Sequence, residues 1–473
     1  MLKVHINPQK GIRWMRLSHA RRAISARFDD PNLVSCAGLV PVIALAQRCG
    51  LAALLAERVR ITAKGGANAV AKVLAVVAGM VAGADSIDDM DLLRHGGMGR
   101  LFTEVRAPST LGTFLRCFTF GHVRQLDAVA AALLTRLAAA TPVLPDADQL
   151  VFVDLDDTVR QTYGYAKQGA GRGYTGIKGL NALLAVVSTP LSAPVIAAAR
   201  LRKGSTNSAR GAAKLLADAL ATARRAGAAG LVIVRADSAY YGYEIVAACR
   251  RAGARFSVTA RLTPTVITAI SGIDEQAWVP IRYPNAIYDE DEQRWVSDAE
   301  VAEVPFTAFT GRRRSEHVTA RLIVRRVRRL NPKHVPAGQT EAFAVYRYHA
   351  IFTDSAEPML VAEATHRDHA IVEQVIAELK NGPLAHLPSG RFAANAAWLA
   401  LNVIAHNLAR WTSRIGLGET LITTKTLRTR YLDLPGRLTR SARKLHLHLP
   451  THWPWAREFL LALDRLRCVP FPT

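Results

Sequence analysis

Three acidic residues, in three different settings, are the part of this sequence best suited to chemistry. In VFVDLDDT, Val151, Val153 and Leu155 alternate with Asp154 and Asp156. A strand here turns its apolar residues to one face and two carboxylates to the other. Asp157 stands beside them. Acids this close repel unless a cation or solvent separates them; a polar strand end at the surface is the competing reading. Asp237 ends the apolar run in LVIVRADS, just before a helical stretch. Ligand sites of α/β sheets lie at such strand ends, although an Asp here would also cap the helix that follows. Glu373 lies in HRDHAIVEQVIAELK. At about 100° per residue, His366, His369, Glu373 and Lys380 share one stripe, with Ile371, Val372, Val375, Ile376 and Leu379 opposite. An ordinary amphipathic helix with a solvated face has the same pattern.

Two strand-end aspartates and a helix glutamate can together form an oxygen-only site. Such a site suits Mg²⁺ or Mn²⁺ rather than zinc, and no H-E-x-x-H spacing recruits the histidines as zinc ligands. Two such ions, roughly 4 Å apart, activate an attacking oxygen and stabilise the leaving oxygen of a phosphodiester.

The elements that must position these residues follow from periodicity. Residues from about 38 to 140 repeat apolar positions at three- and four-residue spacing, as in ANAVAKVLAVVAGMVAG and QLDAVAAALLTRLAAA, which predicts an all-helical N-terminal domain. Ser109 is the expected N-cap of one of its helices. After Pro142–Asp148 the period changes. VFVDLDDT, NALLAVVS and PVIAAARLRKG read as strands, Ala209–Ala226 as a helix, LVIVRADS as a strand, Tyr240–Ala252 as a helix and RFSVTAR as a strand. Three strands followed by alternation predict a mixed sheet with helices on its faces. Residues 263–345 are polar and strand-like and read as a β-rich insertion. The strand YRYHAIFTD, a helix from Thr365 to Lys380 and the apolar helix RFAANAAWLALNVIAHNLARWTSRIG come next.

Composition narrows the partners. The 473 residues, with hydrophobic content of 50%, are enough for two or three domains. Lys and Arg number 61 against 38 Asp and Glu, a formal charge of +23, and such a surplus calls for a polyanion. Acidic membrane is the weaker candidate. The N-terminus MLKVHINPQKGIRW has no apolar run of a signal peptide. Val73–Ala84 falls short of the roughly 20 residues that span a bilayer and reads as a buried helix. Cys36, Cys49, Cys117, Cys249 and Cys468 are scattered without a C-x-x-C pair. They suggest neither zinc nor a disulfide framework, and fit a reducing cytoplasm.

At these motifs the chain resembles the DDE transposases of bacterial insertion sequences, and more narrowly the branch typified by insertion sequence thirteen-eighty. The features in common are DLDDT, TYGYAKQGAGRGYTGIKG, VRADSAYYG and the tail PGRLTRSARKLHLHLP followed by WPW. The resemblance implies an α/β fold: an RNase H-like mixed sheet flanked by helices, with a β-rich insertion and an all-helical N-terminal domain. It implies Asp156, Asp237 and Glu373 as catalytic and metal-binding residues, with Asp156 preferred over Asp154 and with Asp157 standing where Ser is usual. The family signature Tyr-x2-Arg-x3-Glu-x6-Lys is matched at Glu373 and Lys380, while His366 and His369 replace the Tyr and Arg.

The activity so implied is binding of terminal inverted repeats, then cleavage and strand transfer with Mg²⁺ or Mn²⁺, with two ions. The partners are terminal-repeat and target DNA, and a second copy of the chain in the DNA complex. Residues 1–145 would be the helical DNA-binding region, 146–262 and 346–416 the two parts of the catalytic core, 263–345 the insertion and 417–473 a basic C-terminal region. Expected DNA contacts are His366, His369, Lys380, Arg325, Arg326, Arg328, Arg329, Arg437, Arg440 and Arg443. Trp278 and Trp295 are candidates to hold a flipped base, or else core residues of the insertion. The rivals are a transposase-derived DNA-binding protein that has lost catalysis, whose mark would be a missing carboxylate, and an RNase H-like nuclease without strand transfer.

Overall fold

The computed structural model describes residues 18–19, 23–164, 166–283, 288–289, 294–295, 299–328, 346–418 and 422–471. The front of the chain is helical, with α1 (Leu39–Arg48), α2 (Leu51–Arg58), α3 (Ala69–Ala82), α4 (Pro108–Arg116) and α5 (Phe120–Ala140). Helix α3, almost wholly apolar, is buried along most of its length. Helix α4 starts one residue before the expected cap. Ala107 is at the N-cap and Pro108 at the first turn, where its fixed φ and missing N–H suit a helix start. Ser109 therefore lies inside the helix. Among the described residues no single helix is long and apolar enough to cross a membrane.

The sheet that follows has ten strands among the described residues. They include β1 (Leu150–Gln161), β2 (Lys178–Ser188), β3 (Val195–Lys203), then α6 (Ala212–Arg225), β4 (Leu231–Ala236), α7 (Tyr243–Arg251) and β5 (Arg255–Ala260). The spatial order is β3-β2-β1-β4-β5. β1, β2 and β3 form an antiparallel meander, and β4 and β5 run parallel to β1. Central β4 is buried from Val232 to Ala236, as a parallel strand covered on both sides is.

The 263–345 segment does not begin as a β unit. It opens with a helix, α8 (Pro264–Ser271), started by the Thr263 side chain and Pro264. It then adds β6 (Val279–Ile281), β7 (Ala299–Ala308) and β8 (Val318–Arg328). The next strand, β9 (Tyr346–Thr353), pairs with both β5 and β8, so the added strands prolong the main sheet in the order β5-β9-β8-β7-β6.

The helix expected from Thr365 to Lys380 is two helices, α9 (Met359–Arg367) and α10 (Ile371–Lys380), with a 3-10 turn at Asp368–Ala370 between them. At about three residues per turn, that segment shifts the register between the two helices. His366 and His369 stay neighbours across that turn, with their rings stacked at 6.3 Å between centroids. Helix α10 packs on β1 through Val372, Val375, Ile376 and Leu379, with Ile371 only half-buried.

The helical front is not closed off from the rest. Helix α11 (Phe392–Trp411) is buried almost throughout and packs against α3, α5 and β3. The chain then forms a hairpin, β10 (Gly436–Ser441) and β11 (Lys444–His448), and α12 (Ala456–Arg467). Helix α12 packs on α1, and a short strand at Leu33–Val34 pairs with β10. One hydrophobic core runs from Val34 to Val469.

Candidate functional site

The register of β1 against β4 builds the site. Asp154 lies opposite Arg235, and Leu155 opposite Ala236. One step further along each strand come Asp156 and Asp237. In a parallel ladder, directly opposed residues point to the same face, so Asp156 and Asp237 emerge side by side where the β4 strand ends. Asp237 also accepts a hydrogen bond from the Ala239 N–H at 2.9 Å, capping the turn Ser238–Tyr240. The cap and the strand-end carboxylate are the same residue.

The three aspartates of DLDD meet different fates. Asp154 is 0% exposed and takes a two-pronged pair from Arg235, itself 2% exposed, with both bonds at 2.7 Å. Arg235 Nη1 also donates to the Thr365 carbonyl at 2.7 Å. The His369 Nδ1–H donates to Asp154 Oδ1 at 2.9 Å. Asp157 points to the other face. It pairs with buried Arg202, accepts from Asn181 Nδ2 at 2.9 Å, and accepts from the Tyr174 hydroxyl at 3.1 Å.

Asp156 is half-buried, and its carboxylate receives the Asp157 backbone N–H at 2.7 Å. No Lys or Arg pairs with it among the described residues. Burial pushes its pKa up to about 7; the Asp157 N–H opposes this, and the charge of Asp237 adds to it. Asp237 opens to solvent on its outer side, but protein crowding on its inner side raises its pKa as well. Nearby His369 favours the ionised form of both. Two adjacent oxygen donors with no arginine in ion-pair contact among the described residues fit a hard divalent cation. Glu373 is exposed in the first turn of α10, one turn beyond His369. Among the described residues no three His, Cys, Asp or Glu side chains are gathered tightly enough to hold an ion.

The expected DNA contacts divide sharply. His366 is buried, with Nδ1 at 2.9 Å from Ser257 Oγ and Nε2 at 2.9 Å from Thr259 Oγ1. Burial, reinforced by His369, lowers its pKa to about 3, so the ring is neutral and serves the interior. His369 is mostly enclosed and tethered to Asp154. Arg326 is equally an interior residue. It is clamped by Glu275 and by Glu300 at 2.6 Å, and stacked 4.2 Å over Trp278. Arg325 pairs at 3.2 Å with the buried Glu363. In the chain by itself, His366, Arg325 and Arg326 are engaged by acids and hydroxyls distant in sequence. Arg328 ends β8, but its side chain lies outside the described residues, as does all of Arg329. Lys380 is half-buried at the end of α10. Arg437, Arg440 and Arg443 are exposed on the β10–β11 hairpin. Trp278 is buried in the main hydrophobic core, and the Trp295 side chain lies outside the described residues.

Sequence reasoning missed Arg235, Arg202, Asn181 and Tyr174. A signal for the first was present: an arginine inside the buried run LVIVRA needs an acidic partner.

A family model described as transposase DDE domain, group 1, matches residues 17–470. Among curated proteins none matches the chain.

Proposed function

Because the chain belongs to the transposase DDE domain group 1 family, we propose that it binds the terminal inverted repeats of an insertion sequence of the thirteen-eighty branch and catalyses cleavage and strand transfer of its ends. The proposed catalytic and metal-binding set is Asp156, Asp237 and Glu373. The observation that carries this reading is the unpaired Asp156–Asp237 couple, flanked on the same strand by Asp154 and Asp157, each closed by an arginine. The strand order β3-β2-β1-β4-β5 supports an RNase H-like core.

When bound, two Mg²⁺ or Mn²⁺ ions would lower the pKa of the attacking hydroxyl and stabilise the leaving oxygen. Asp156 and Asp237 fix oxygen donors at the ends of two rigid strands. Asp154, held by Arg235, orients His369 beside them. Glu373, exposed in the first turn of α10, would supply the third carboxylate. The exposed Arg437, Arg440 and Arg443 would bind phosphates of the transposon end, and a second copy of the chain would hold the other end.

The test is cleavage of a duplex carrying the element's own ends, with Mg²⁺. The expected result is nicking at the terminus by the wild type and none by Asp237→Asn, with duplex affinity retained. Undiminished nicking by Asp237→Asn would leave that residue as a cap only and overturn the assignment.

A further inference from the structure

Helix α10 carries two acids with different surroundings. Glu373 is exposed in its first turn. Glu378 lies further along the same helix, turned well away from Glu373 around its axis and toward α11. Its side chain is 12% exposed and accepts a hydrogen bond at 2.7 Å from Nη2 of Arg410, itself 4% exposed. Nη1 of the same guanidinium donates to the Ile422 carbonyl at 2.7 Å. His406, kept neutral by burial, stands 4.0 Å from the other carboxylate oxygen. The charge of Arg428 also reaches Glu378, and Arg428 Nε donates to the Val81 carbonyl of α3 at 3.3 Å. Helices α3, α10 and α11 and the chain that follows α11 therefore meet at one carboxylate.

Glu378 with Arg410 is the only ion pair that α10 makes with a Lys or Arg among the described residues. Against β1 the helix has Val372, Val375, Ile376 and Leu379. Apolar contact has no direction and fixes how deep a helix lies. A charged hydrogen bond has direction and fixes how the helix is turned. Desolvation offsets most of the attraction in a buried pair, so stability is a weak reason for its presence.

We propose that Glu378 is a positioning residue: clamped by Arg410, it sets the rotation of α10 and so the place of Glu373 relative to Asp156. The proposal rests on reading Asp156, Asp237 and Glu373 as the metal-binding set. A pair that only braced the fold could be exchanged for two apolar side chains without further loss. A pair that sets rotation could not.

The experiment titrates the full chain with Mn²⁺ in the absence of DNA and reads free Mn²⁺ by electron paramagnetic resonance. Glu373→Gln is expected to weaken binding on the order of tenfold, as loss of one carboxylate ligand. Glu378→Gln is expected to weaken it about tenfold too, as loss of a group that orients a ligand does. The double variant Glu373→Gln/Glu378→Gln should bind no more weakly than Glu373→Gln alone, because Glu378 acts through Glu373. Glu378→Leu/Arg410→Met leaves neither member of the pair unpartnered. It is expected to unfold in urea as the wild type does and still to lose affinity for Mn²⁺, and it decides the matter where Glu378→Gln is unfolded by circular dichroism. Wild-type affinity in folded Glu378→Gln or in the Leu/Met variant would overturn the proposal, as would losses that add in the double variant. A Leu/Met variant that does not fold makes the pair a brace and overturns it equally. In each of these cases Glu373→Gln still weakens binding and the metal-binding set stands. Wild-type affinity in Glu373→Gln sinks the third carboxylate itself, and this inference with it.

Discussion

The interior flank of the site and its open mouth are built from the same residue type and behave in opposite ways. On the flank, Asp154 meets Arg235 from the adjacent strand β4 and Asp157 meets Arg202 from β3, two strands away, and their charges are used up in holding the sheet together. At the mouth, Asp156 and Asp237 accept hydrogen bonds from backbone N–H groups and form no ion pair with an arginine or lysine among the described residues, although the charges of His369 and, for Asp237, Arg261 reach them. A buried carboxylate that is paired serves the fold; one left unpaired is strained and available. The arginines repeat the contrast. Arg326 is consumed by Glu275 and Glu300, whereas Arg440 and Arg443 stand exposed on a hairpin.

The largest expected effect lies at the mouth. Asp237→Asn or Asp156→Asn should lower end cleavage on the order of a thousandfold or more, and chelation of the metal should do the same, because each removes a ligand of the reaction. Gel assays of a labelled duplex measure this. If Asp154→Asn were as damaging to cleavage while remaining folded, the division between flank and mouth would break.

On the flank the damage should be to stability. Asp154→Ala leaves the Arg235 guanidinium buried without its carboxylate. The expected cost is about 3–5 kcal/mol of unfolding free energy, read from urea denaturation. A loss under about 1 kcal/mol would mean that the pair contributes little beyond what a surface pair does.

A smaller effect separates the two regions by pH. The folded pKa of Asp156, about 7, lies above its ordinary value. The stability this group contributes is therefore complete below about pH 4 and is lost as pH rises through 7. In chelator, Asp156→Asn should be closest to the wild type near pH 4 and gain on it as the pH rises, by about 3–4 kcal/mol near pH 8. Mg²⁺ should stabilise the wild type and leave the variant behind. Melting curves at the two pH values, with and without metal, decide this; a pH-independent difference would place Asp156 among the paired residues.

The smallest effects concern the arginines. Removing Arg440 or Arg443 should reduce the salt dependence of duplex binding by about one unit of slope each, as loss of a phosphate contact does. Arg326→Ala should leave that slope unchanged and lower stability instead, since its charge is spent inside. Fluorescence-anisotropy titrations over a salt series provide the comparison.

The elements were largely legible. Alternation in VFVDLDDT and the apolar run LVIVRA are local consequences of strand geometry, and β1 and β4 lie where those patterns put them. The helix around Glu373 was legible too, but its break at Asp368–Ala370 was not, because the turn interrupts a sequence whose apolar spacing carries on through it. His366, just before the break, bonds Ser257 and Thr259.

The sequence by itself determined which residues alternate, where the strands and helices run, and that acids and arginines abound near one another in composition. Only the tertiary structure decided which charges cancel. Asp154 and Asp156 share one face of one strand, and no local rule distinguishes them. The difference is that Asp154 lies opposite Arg235 while Asp156 lies one step past the end of that ladder, level with another acid. Register between distant strands is fixed by packing of the whole sheet, and charge pairing follows register.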